Sequence, residues 1–290
     1  MEPTVVVGYD QSPDSELALE EAAAAAEQRA AALTVVHAYR SPLVAPPPFE
    51  MPIPGYSKHD AASRVTEPAA DRMRADHPGL TITTTVVHGP PAHKLAEAAA
   101  EADLLVVGHR GHGGFPGLGL GSVALRAVTH STVPTLVVRG GRRHPRGTVL
   151  AAVDVMDPDG GSEEVLEFAF AEAARRAAKL KAVSAWEILW PPAYFGDRGE
   201  LRRAVDLARE RADAALARLL KPWRDKYPDV EAEHELVEGD PATVLLAACA
   251  HADLVVAGAR RRGERGARLG PVDHTLLRHA DCPVAVVPHG

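Results

Sequence analysis

The chain repeats itself about halfway along its 290 residues. Apolar segments of the first half recur in the same order in the second half, each followed by similar polar or turn residues. The matched pairs are residues 4–10 and 148–154, 33–39 and 180–186, 87–92 and 237–242, 102–108 and 252–258, and 133–138 and 282–287. This repeat predicts two copies of one domain, residues 1–141 and 147–290, joined by a linker rich in glycine and arginine.

Short β-prone runs alternate with helical segments inside each copy. In the first copy the predicted strands are residues 4–8, 33–39, 80–87, 104–107 and 134–138, and the predicted helices are residues 15–31, 59–76, 90–101 and one that begins near residue 122. Ser12 or Asp14 is expected to cap the first helix. Prolines between residues 46 and 54 predict an irregular surface loop. The alternation favours an α/β fold with right-handed crossovers, in which each copy is a three-layer α/β/α sandwich around a five-stranded parallel sheet.

The carboxyl ends of the first and fourth strands mark the place where such a fold binds ligands. With the strand order 3-2-1-4-5, a crevice opens between these two strands. They end at Gly8-Tyr9-Asp10 and at Val107-Gly108, so the topology places Asp10 beside the segment that follows Gly108. Two roles stay open for Asp10, which are contact with a ligand and initiation of a turn through its own backbone.

The segment after the fourth strand is rich in glycine and ends at a serine that begins a helix. Its glycines are residues 108, 111, 113, 114, 117, 119 and 121, and Ser122 follows. Glycine lets a ligand approach backbone N–H groups and permits the positive φ values of an anion-binding nest. Ser122 and the first N–H groups of the helix can then face a phosphate together. We interpret the segment as a phosphate site, with a glycine-rich surface loop as the alternative; neither a P-loop nor a dinucleotide fingerprint is present.

Charge and composition argue against several classes of protein. The formal net charge of −7 gives no footprint for nucleic acid. Cys249 and Cys282 lie in apolar segments without paired spacing, which argues against a disulfide framework and a zinc site. No signal peptide or membrane span is visible. We therefore expect a cytoplasmic protein that binds neither nucleic acid nor membranes.

The second copy differs from the first where the phosphate site would lie. Arg261 stands in place of Gly111, and Pro271 replaces Ser122, which removes a hydroxyl and an N–H donor. The segment also gains arginines at positions 260, 261, 262, 265 and 268. These arginines either bind an anion by charge, or they form a solvated basic loop or a face that pairs with acidic surface elsewhere, and we favour the latter over anion binding. The second site is expected to be weakened or empty.

The spacing of Gly108, Gly111 and Gly121-Ser122 resembles the ATP-binding signature of the universal stress protein family. The resemblance extends over nearly the whole chain, which is similar to the tandem members of that family. It implies the 3-2-1-4-5 sandwich of the adenine nucleotide alpha hydrolase-like class. Many members hold ATP between the first and fourth strands, often with magnesium or manganese, so we expect ATP with Mg²⁺, or another adenine nucleotide, as the ligand.

The resemblance also assigns roles to individual residues. It implies that Gly8, Tyr9 and Asp10 lie beside the adenosine, Ala38 against the adenine, and Val107 and Gly108 near the ribose. It implies that the phosphates are surrounded by Arg110, Gly111, Gly121, Ser122, Val123 and Ala124, where Ala124 lacks the hydroxyl that is more frequent in the family. In the second copy the matching residues that persist are Asp154, Ala185, Gly258 and Gly270.

Turnover of the nucleotide is not expected to be the function. Hydrolysis needs a base close to a positioned water, and Asp10 is the acidic residue that the topology places near the site, toward the nucleoside end. His109 and His112 flank the glycine segment and are expected to be solvated rather than bound to phosphate or metal. We therefore expect a regulatory stress-response protein whose nucleotide alters its binding to a protein partner, with slow hydrolysis left open. An interaction module of the same fold without nucleotide is the alternative.

Assembly is predicted from the apolar last strands of each copy. Residues 134–138 and 283–287 lie at sheet edges, which favour pairing with another strand. We expect the two to pair as an intramolecular pseudo-dimer, while a homodimer of whole chains stays open.

Overall fold

The computed structural model describes residues 2–40, 58–112, 119–140, 145–157, 160–187, 198–261 and 267–290. Its contacts divide the chain into two compact units, the first formed by Met1–Gly141 and the second by Arg142–Arg261 with Arg268–Gly290. The proline-rich segment predicted to be a surface loop lies outside the described residues, and so do residues 141–144 of the predicted linker.

The first unit is a five-stranded parallel sheet with helices on both faces. Its elements are β1 (Thr4–Gly8), α1 (Pro13–Arg29), β2 (Ala32–Tyr39), α2 (Lys58–Asp76), β3 (Ile82–His88), α3 (Pro91–Ala98), β4 (Leu104–Gly108), α4 (Ser122–His130) and β5 (Thr135–Val138). The strands follow the order β3-β2-β1-β4-β5, and each neighbouring pair is parallel. Right-handed crossovers place α1 and α2 on one face and the mutually packed α3 and α4 on the other. The predicted fold class is confirmed for this unit.

The second unit repeats this topology with one addition. Its elements are β6 (Thr148–Ala152), α5 (Ser162–Arg175), β7 (Lys179–Trp186), α6 (Arg198–Lys226), β8 (Ala232–Glu238), α7 (Pro241–Cys249), β9 (Leu254–Arg261), β10 (Ala267–Arg268), α8 (Pro271–His279) and β11 (Val284–His289). Parallel pairs give the order β8-β7-β6-β9-β11. β9 continues three residues beyond Gly258, whereas β4 ends at Gly108, and the sequence did not predict β10.

The centre of the first sheet fixes the position of the ligand crevice. Val5 of β1 pairs with Leu33 of β2 on one side and with Leu104 of β4 on the other. These three side chains are 0–1% exposed, and each buried side chain of this size contributes about 1.5–3 kcal/mol to folding. Because this register is set by the core, the carboxyl ends of β1 and β4 lie side by side.

Two helices differ from the predicted boundaries for local reasons. α1 begins at Pro13, two residues earlier than predicted, because the Ser12 hydroxyl caps it by accepting from the Ser15 N–H at 3.2 Å. It ends at Arg29 because Ala30 adopts a left-handed φ of 48°. α3 ends at Ala98 rather than near residue 101, and β3 begins two residues later than predicted.

The two cysteines are free and buried, in agreement with the predicted absence of a disulfide framework. The Cys249 thiol forms a hydrogen bond with Cys282, and this bond, together with burial, raises the pKa of Cys249. Within the described ranges, none of the helices combines the length and apolar composition that a bilayer crossing requires.

Candidate functional site

A cavity of about 390 Å³ opens at the carboxyl ends of β1, β2 and β4 in the first unit. Its volume lies within the range of about 300–1,000 Å³ that is usual for small-molecule sites. All of the site residues predicted in the first copy line it, namely Gly8, Tyr9, Asp10, Ala38, Val107, Gly108, Arg110, Gly111, Gly121, Ser122, Val123 and Ala124. The structure therefore brings together residues that lie more than 100 positions apart in the sequence.

Five further residues line the cavity and were missed by the sequence analysis. They are Ser15, Val36, Pro91, Leu95 and Leu120. Val36 lies two residues before Ala38 on β2, so strand alternation could have identified it as a neighbour on the same face. Pro91 and Leu95 come from α3, which covers this part of the sheet. Their apolar side chains carry no ligand signal of their own, because any helix that packs on a sheet presents such residues.

The Asp10 carboxylate links the turn after β1 to the segment after β4 by hydrogen bonds. One carboxylate oxygen accepts from the Ser12 N–H at 3.0 Å, and the other accepts from the His112 N–H at 3.3 Å. Burial would raise the pKa of Asp10, but hydrogen bonds from Ser12, Ser15 and His112 outweigh burial and leave the pKa below its ordinary value. Asp10 therefore initiates a turn, as one of the two predicted roles requires, and it also lines the cavity, where its contact with a ligand stays a prediction.

The glycines of the β4–α4 segment are required by neighbouring protein atoms. A Cβ on Gly108 would lie 2.7 Å from the backbone of Asp14 in α1, and a Cβ on Gly111 would collide with the Asp10 carboxylate. A Cβ on Gly121 would lie 3.0 Å from the His109 carbonyl oxygen. None of these three glycines has a positive φ, so the prediction of nest-like φ values is wrong for them. Glycines 113, 114 and 117 lie outside the described residues.

The beginning of α4 forms the polar end of the cavity. Gly121 occupies the N-cap position without a side-chain hydrogen bond, and Ser122, Val123 and Ala124 follow as the first three helical residues. The first N–H groups of a helix have no acceptor within the helix, and the helix dipole makes this end favourable for anions. Ser122 is exposed and Arg110 also lines this end. The arrangement suits a phosphate group.

Tyr9 forms a buried wall of the site rather than a reactive group. It is 5% exposed, its hydroxyl donates to Glu16, and Glu16 also pairs with Arg72. Burial, together with the hydrogen bond to Glu16, raises the pKa of Tyr9 to about 12. The phenol is therefore neutral at physiological pH.

The two histidines beside the glycine segment differ in environment. His112 is exposed as expected, with 65% of its side chain accessible. His109 is 5% exposed and contacts the Gly119 carbonyl and the Arg139 guanidinium, the latter at 2.9 Å. Burial, together with Arg139, lowers the pKa of His109. The expectation that His109 is solvated is wrong, because the ring is packed inside the unit and holds the segment in place.

The matching residues of the second unit do not gather in one cavity. Asp154 lines a cleft with Asp157, Trp223, Arg260 and His289, but Gly258 and Gly270 are absent from the described residues that line it. Asp154 is exposed and accepts from the N–H groups of Met156 at 2.8 Å and Asp157 at 3.3 Å. A Cβ on Gly258 would lie 3.0 Å from the Val165 side chain.

One arginine of the second unit pairs with an acidic residue. Arg260 pairs with Asp157 at 3.2 Å, which agrees with the interpretation that favoured pairing with acidic residues. Arg268 is exposed, and Arg262 and Arg265 lie outside the described residues.

A carboxylate occupies the helix start in the second unit. Asp273 is the third residue of α8, the position that Ala124 holds in α4. It is 8% exposed and accepts from the Gly270 N–H at 2.8 Å. Burial raises the pKa of Asp273 to about 6, against the lowering effect of the hydrogen bond from Gly270. The second unit thus supplies its own anion at the point where the first unit has an alanine beside an open cavity.

A dedicated metal site is absent from the described part of the chain. No group of three or more His, Cys, Asp or Glu side chains there could hold a metal ion. The Ser15 and Tyr9 hydroxyls at the cavity donate to Ser12 and Glu16, whereas the Asp10 carboxylate and the Ser122 hydroxyl could take part in a Mg²⁺ site that phosphate oxygens and water complete.

Comparisons with known proteins identify the family. The model of the universal stress protein family matches residues 1–139 and again residues 145–288. A universal stress protein of Mycobacterium tuberculosis strain H37Rv is 33% identical over 303 aligned residues, which cover 97% of this chain and 95% of that protein. A universal stress protein of Mycolicibacterium smegmatis is 29% identical, with 98% of this chain and 96% of that protein covered.

Solved structures show the same fold over the whole chain. A functionally unknown protein from Pseudomonas aeruginosa PAO1 superposes with a TM-score of 0.70 at 17% identity and covers 99% of this chain and 93% of that one. A universal stress protein from Archaeoglobus fulgidus superposes with a TM-score of 0.65 at 18% identity, with 99% of this chain and 98% of that one covered. Both halves of the sequence match one family model, and a curated universal stress protein is 33% identical over nearly the whole chain. The chain therefore belongs to the universal stress protein family.

Proposed function

We propose that the first unit binds an adenine nucleotide, with ATP as the main ligand, and that the bound nucleotide regulates a protein interaction. The observation that carries this proposal is the division of one cavity into an apolar and a polar end. Val36, Ala38 and Leu95 provide aliphatic walls that suit a flat base, and the start of α4 provides N–H groups that suit phosphates. Membership of the universal stress protein family supports adenine as the base and a stress-response role.

Magnesium would arrive with the nucleotide. The Asp10 carboxylate and the Ser122 hydroxyl are the side-chain oxygens at the cavity that could assist a Mg²⁺ ion held by the phosphates. The ion would neutralise phosphate charge, which lets a triphosphate lie close to the Asp10 carboxylate.

We propose binding rather than rapid hydrolysis as the function. Asp10 is the carboxylate at the cavity, and both of its oxygens already accept backbone hydrogen bonds. Its lowered pKa makes it a weak base for water activation. Turnover is expected to be far below the 1–100 s⁻¹ that is typical of kinases. Steady-state release of phosphate at such rates, lost in a Ser122→Ala variant, would show that the protein is an ATPase.

Calorimetric titration with ATP and adenosine tests the nucleotide proposal. Ser122→Glu places a negative charge at the first helical position, where it is compatible with the helix but repels a phosphate. Its matched control is Ser122→Gln, which has the same size without the charge. We expect Ser122→Glu to weaken ATP binding about tenfold or more relative to Ser122→Gln. Adenosine, which has no phosphate, should bind both variants equally.

Two results would contradict the proposal. One is a wild-type protein that binds neither ATP nor adenosine and releases no nucleotide on denaturation, as judged by mass spectrometry; the chain would then be an interaction module. The other is an equal loss of adenosine and ATP binding in Ser122→Glu, which would mean that the phosphates do not lie at α4.

We propose further that the second unit binds no nucleotide. Asp273 supports this, because a buried carboxylate at the start of α8 would repel a phosphate there. A stoichiometry of one ATP per chain is the expected result.

A further inference from the structure

A second concave site adjoins the nucleotide cavity of the first unit. It has a volume of about 400 Å³ and shares Pro91, Ser122 and Val123 with the cavity. Its other side chains include four basic groups, from the residue after β2, from α3 and from α4. We call these residues, Arg40, His93, Arg126 and His130, the basic groove.

The described lining of the basic groove contains more basic than acidic side chains, although Glu97 lies close enough to interact electrostatically with His93. No Asp or Glu is among the described residues that line it. All four basic residues are exposed, and the rings of His93 and His130 lie 6.1 Å apart. Neither Arg40 nor Arg126 forms an ion pair with any residue in the described ranges, and Glu97, one turn beyond His93, is engaged by Lys94 at 2.7 Å. The guanidinium groups of Arg40 and Arg126 are positively charged, and an anion bound in the groove would gain charge-assisted hydrogen bonds from them.

The second unit provides an internal comparison for the basic groove. By the register of the two units, Arg40 corresponds to Glu187, His93 to Thr243, Arg126 to Thr275 and His130 to His279. The second unit also carries Asp240 in place of Pro90. The unit that lacks the phosphate-binding features at its helix start has therefore also lost most of this positive charge, and it has gained two acidic residues. In this chain both sets of features occur in the first unit.

We propose that the basic groove binds a phosphate group beyond those held at the start of α4. Because the groove and the cavity share Ser122 and Val123, one ligand can reach both, so the first unit would prefer a nucleotide that carries a second phosphate on its ribose. A separate phosphate ester bound beside the nucleotide has the same chemistry. The preference for a nucleotide with a second phosphate rests on the proposed nucleotide binding. Phosphate binding by the groove alone can be tested without that proposal.

The experiment compares nucleotides that differ by one phosphate. Adenosine 5′-monophosphate, adenosine 3′,5′-bisphosphate and adenosine 2′,5′-bisphosphate are titrated into the wild-type protein. We expect one bisphosphate to bind about tenfold more tightly than the monophosphate, because it adds charge-assisted hydrogen bonds to guanidinium groups. In a second arm, inorganic pyrophosphate is titrated into the protein saturated with ATP, where binding would indicate a separate phosphate ester.

Matched variants separate the groove from general charge effects. Arg40→Gln with Arg126→Thr removes two positive charges from the groove, and Arg202→Thr with Arg209→Gln removes two from exposed positions of α6. We expect the first pair to abolish the tenfold preference and the pyrophosphate binding, and the second pair to leave both unchanged. Circular dichroism and thermal unfolding confirm that both variants fold.

The outcomes distinguish this inference from the proposed function. If ATP binds but no bisphosphate gains affinity and pyrophosphate does not bind, the groove proposal is wrong while the nucleotide proposal stands. If the bisphosphate binds more tightly than the monophosphate to the same extent in Arg40→Gln with Arg126→Thr, the basic groove does not hold the second phosphate. If no nucleotide binds, the proposed function fails, and pyrophosphate titrated into the nucleotide-free wild type and groove variant still decides the groove.

Discussion

The two units share one topology and differ at the start of one helix. In the first unit, Ala124 lies two residues after Ser122 at the edge of an open cavity; in the second, Asp273 lies two residues after Pro271 and accepts a hydrogen bond from the Gly270 N–H. The sheets keep the same parallel order, because that order depends on buried aliphatic side chains in β1 and β6 and their neighbours. The difference shows that a handful of residues near a strand end can change the charge and shape of this edge of the fold while the strand order stays the same.

The largest effect on ATP affinity is expected when Ala124 of the first unit is replaced by aspartate, the residue at the matching position 273 of the second unit. Ala124→Asp places a carboxylate where the phosphates are proposed to lie, and we expect ATP affinity to fall more than about 100-fold. Ala124→Asn is the control, since it has nearly the same size without the charge, and it should lose much less. Isothermal titration calorimetry measures both. Equal losses in the two variants would mean that bulk rather than charge separates the units.

Close packing at the fourth strand should also differ between the units. A Cβ on Gly108 would press on the α1 backbone at 2.7 Å, whereas a Cβ on Gly258 would meet side chains of Val165 and His289 at 3.0 and 3.2 Å. Backbone cannot yield as side chains do, so we expect Gly108→Ala to cost about 3 kcal/mol of unfolding free energy and Gly258→Ala about 1 kcal/mol. Urea denaturation followed by circular dichroism compares them. A larger cost for Gly258→Ala would reverse this part of the comparison.

Asp273 should make the stability of the second unit depend on pH. Its pKa in the folded protein, about 6, lies above its ordinary value of 3.8. An acid with a raised pKa contributes stability that is present below about pH 4 and is lost as pH rises through 6. The free energy of unfolding of Asp273→Asn should therefore gain about 2 kcal/mol relative to wild type between pH 4 and pH 7. If the free energy of unfolding changed with pH in the same way for wild type and Asp273→Asn, ionisation of the Asp273 carboxylate would not destabilise the folded protein.

The smallest expected effect concerns Tyr9, which corresponds to Val153 in the second unit. Tyr9→Phe removes the hydrogen bond to Glu16 and should cost about 1 kcal/mol at neutral pH. Because the pKa of Tyr9 is raised to about 12, its contribution is present below pH 10 and is lost as pH rises through 12. Thermal unfolding across this range should show a steeper alkaline loss for wild type than for Tyr9→Phe. Identical profiles would exclude a stabilising role for the phenol.

Local patterns in the sequence were sufficient to predict the strands, and the family resemblance supplied their order, from which the location of the cavity follows. Apolar runs marked the strands, and the rule for open α/β sheets placed Asp10 near Gly108. The sequence could not show why the glycines are needed, since the atoms that exclude a Cβ at Gly108 and Gly111 belong to α1 and to the turn after β1.

Other features depended on long-range packing and could not be read from local patterns. His109 looked like a loop residue, but Arg139 and the Gly119 carbonyl enclose it. Leu95 lines the cavity because α3 lies over β1 and β2, which a helical pattern alone does not reveal. The role of Asp273 depended on the exact start of α8, and helix boundaries are the least certain part of a sequence-based prediction.

The contact between Asp10 and Gly111 has a consequence for how such repeats diverge. A side chain at position 111 would displace the Asp10 carboxylate, so substitutions at these two positions are not independent. In the second unit an arginine stands at the matching position, and the carboxylate of the retained Asp154 accepts from the N–H groups of Met156 and Asp157 in its own turn. A replacement of Gly111 therefore requires the Asp10 carboxylate to move away from its present position. A duplicated gene can cross that step in one copy while the other copy keeps the original pair.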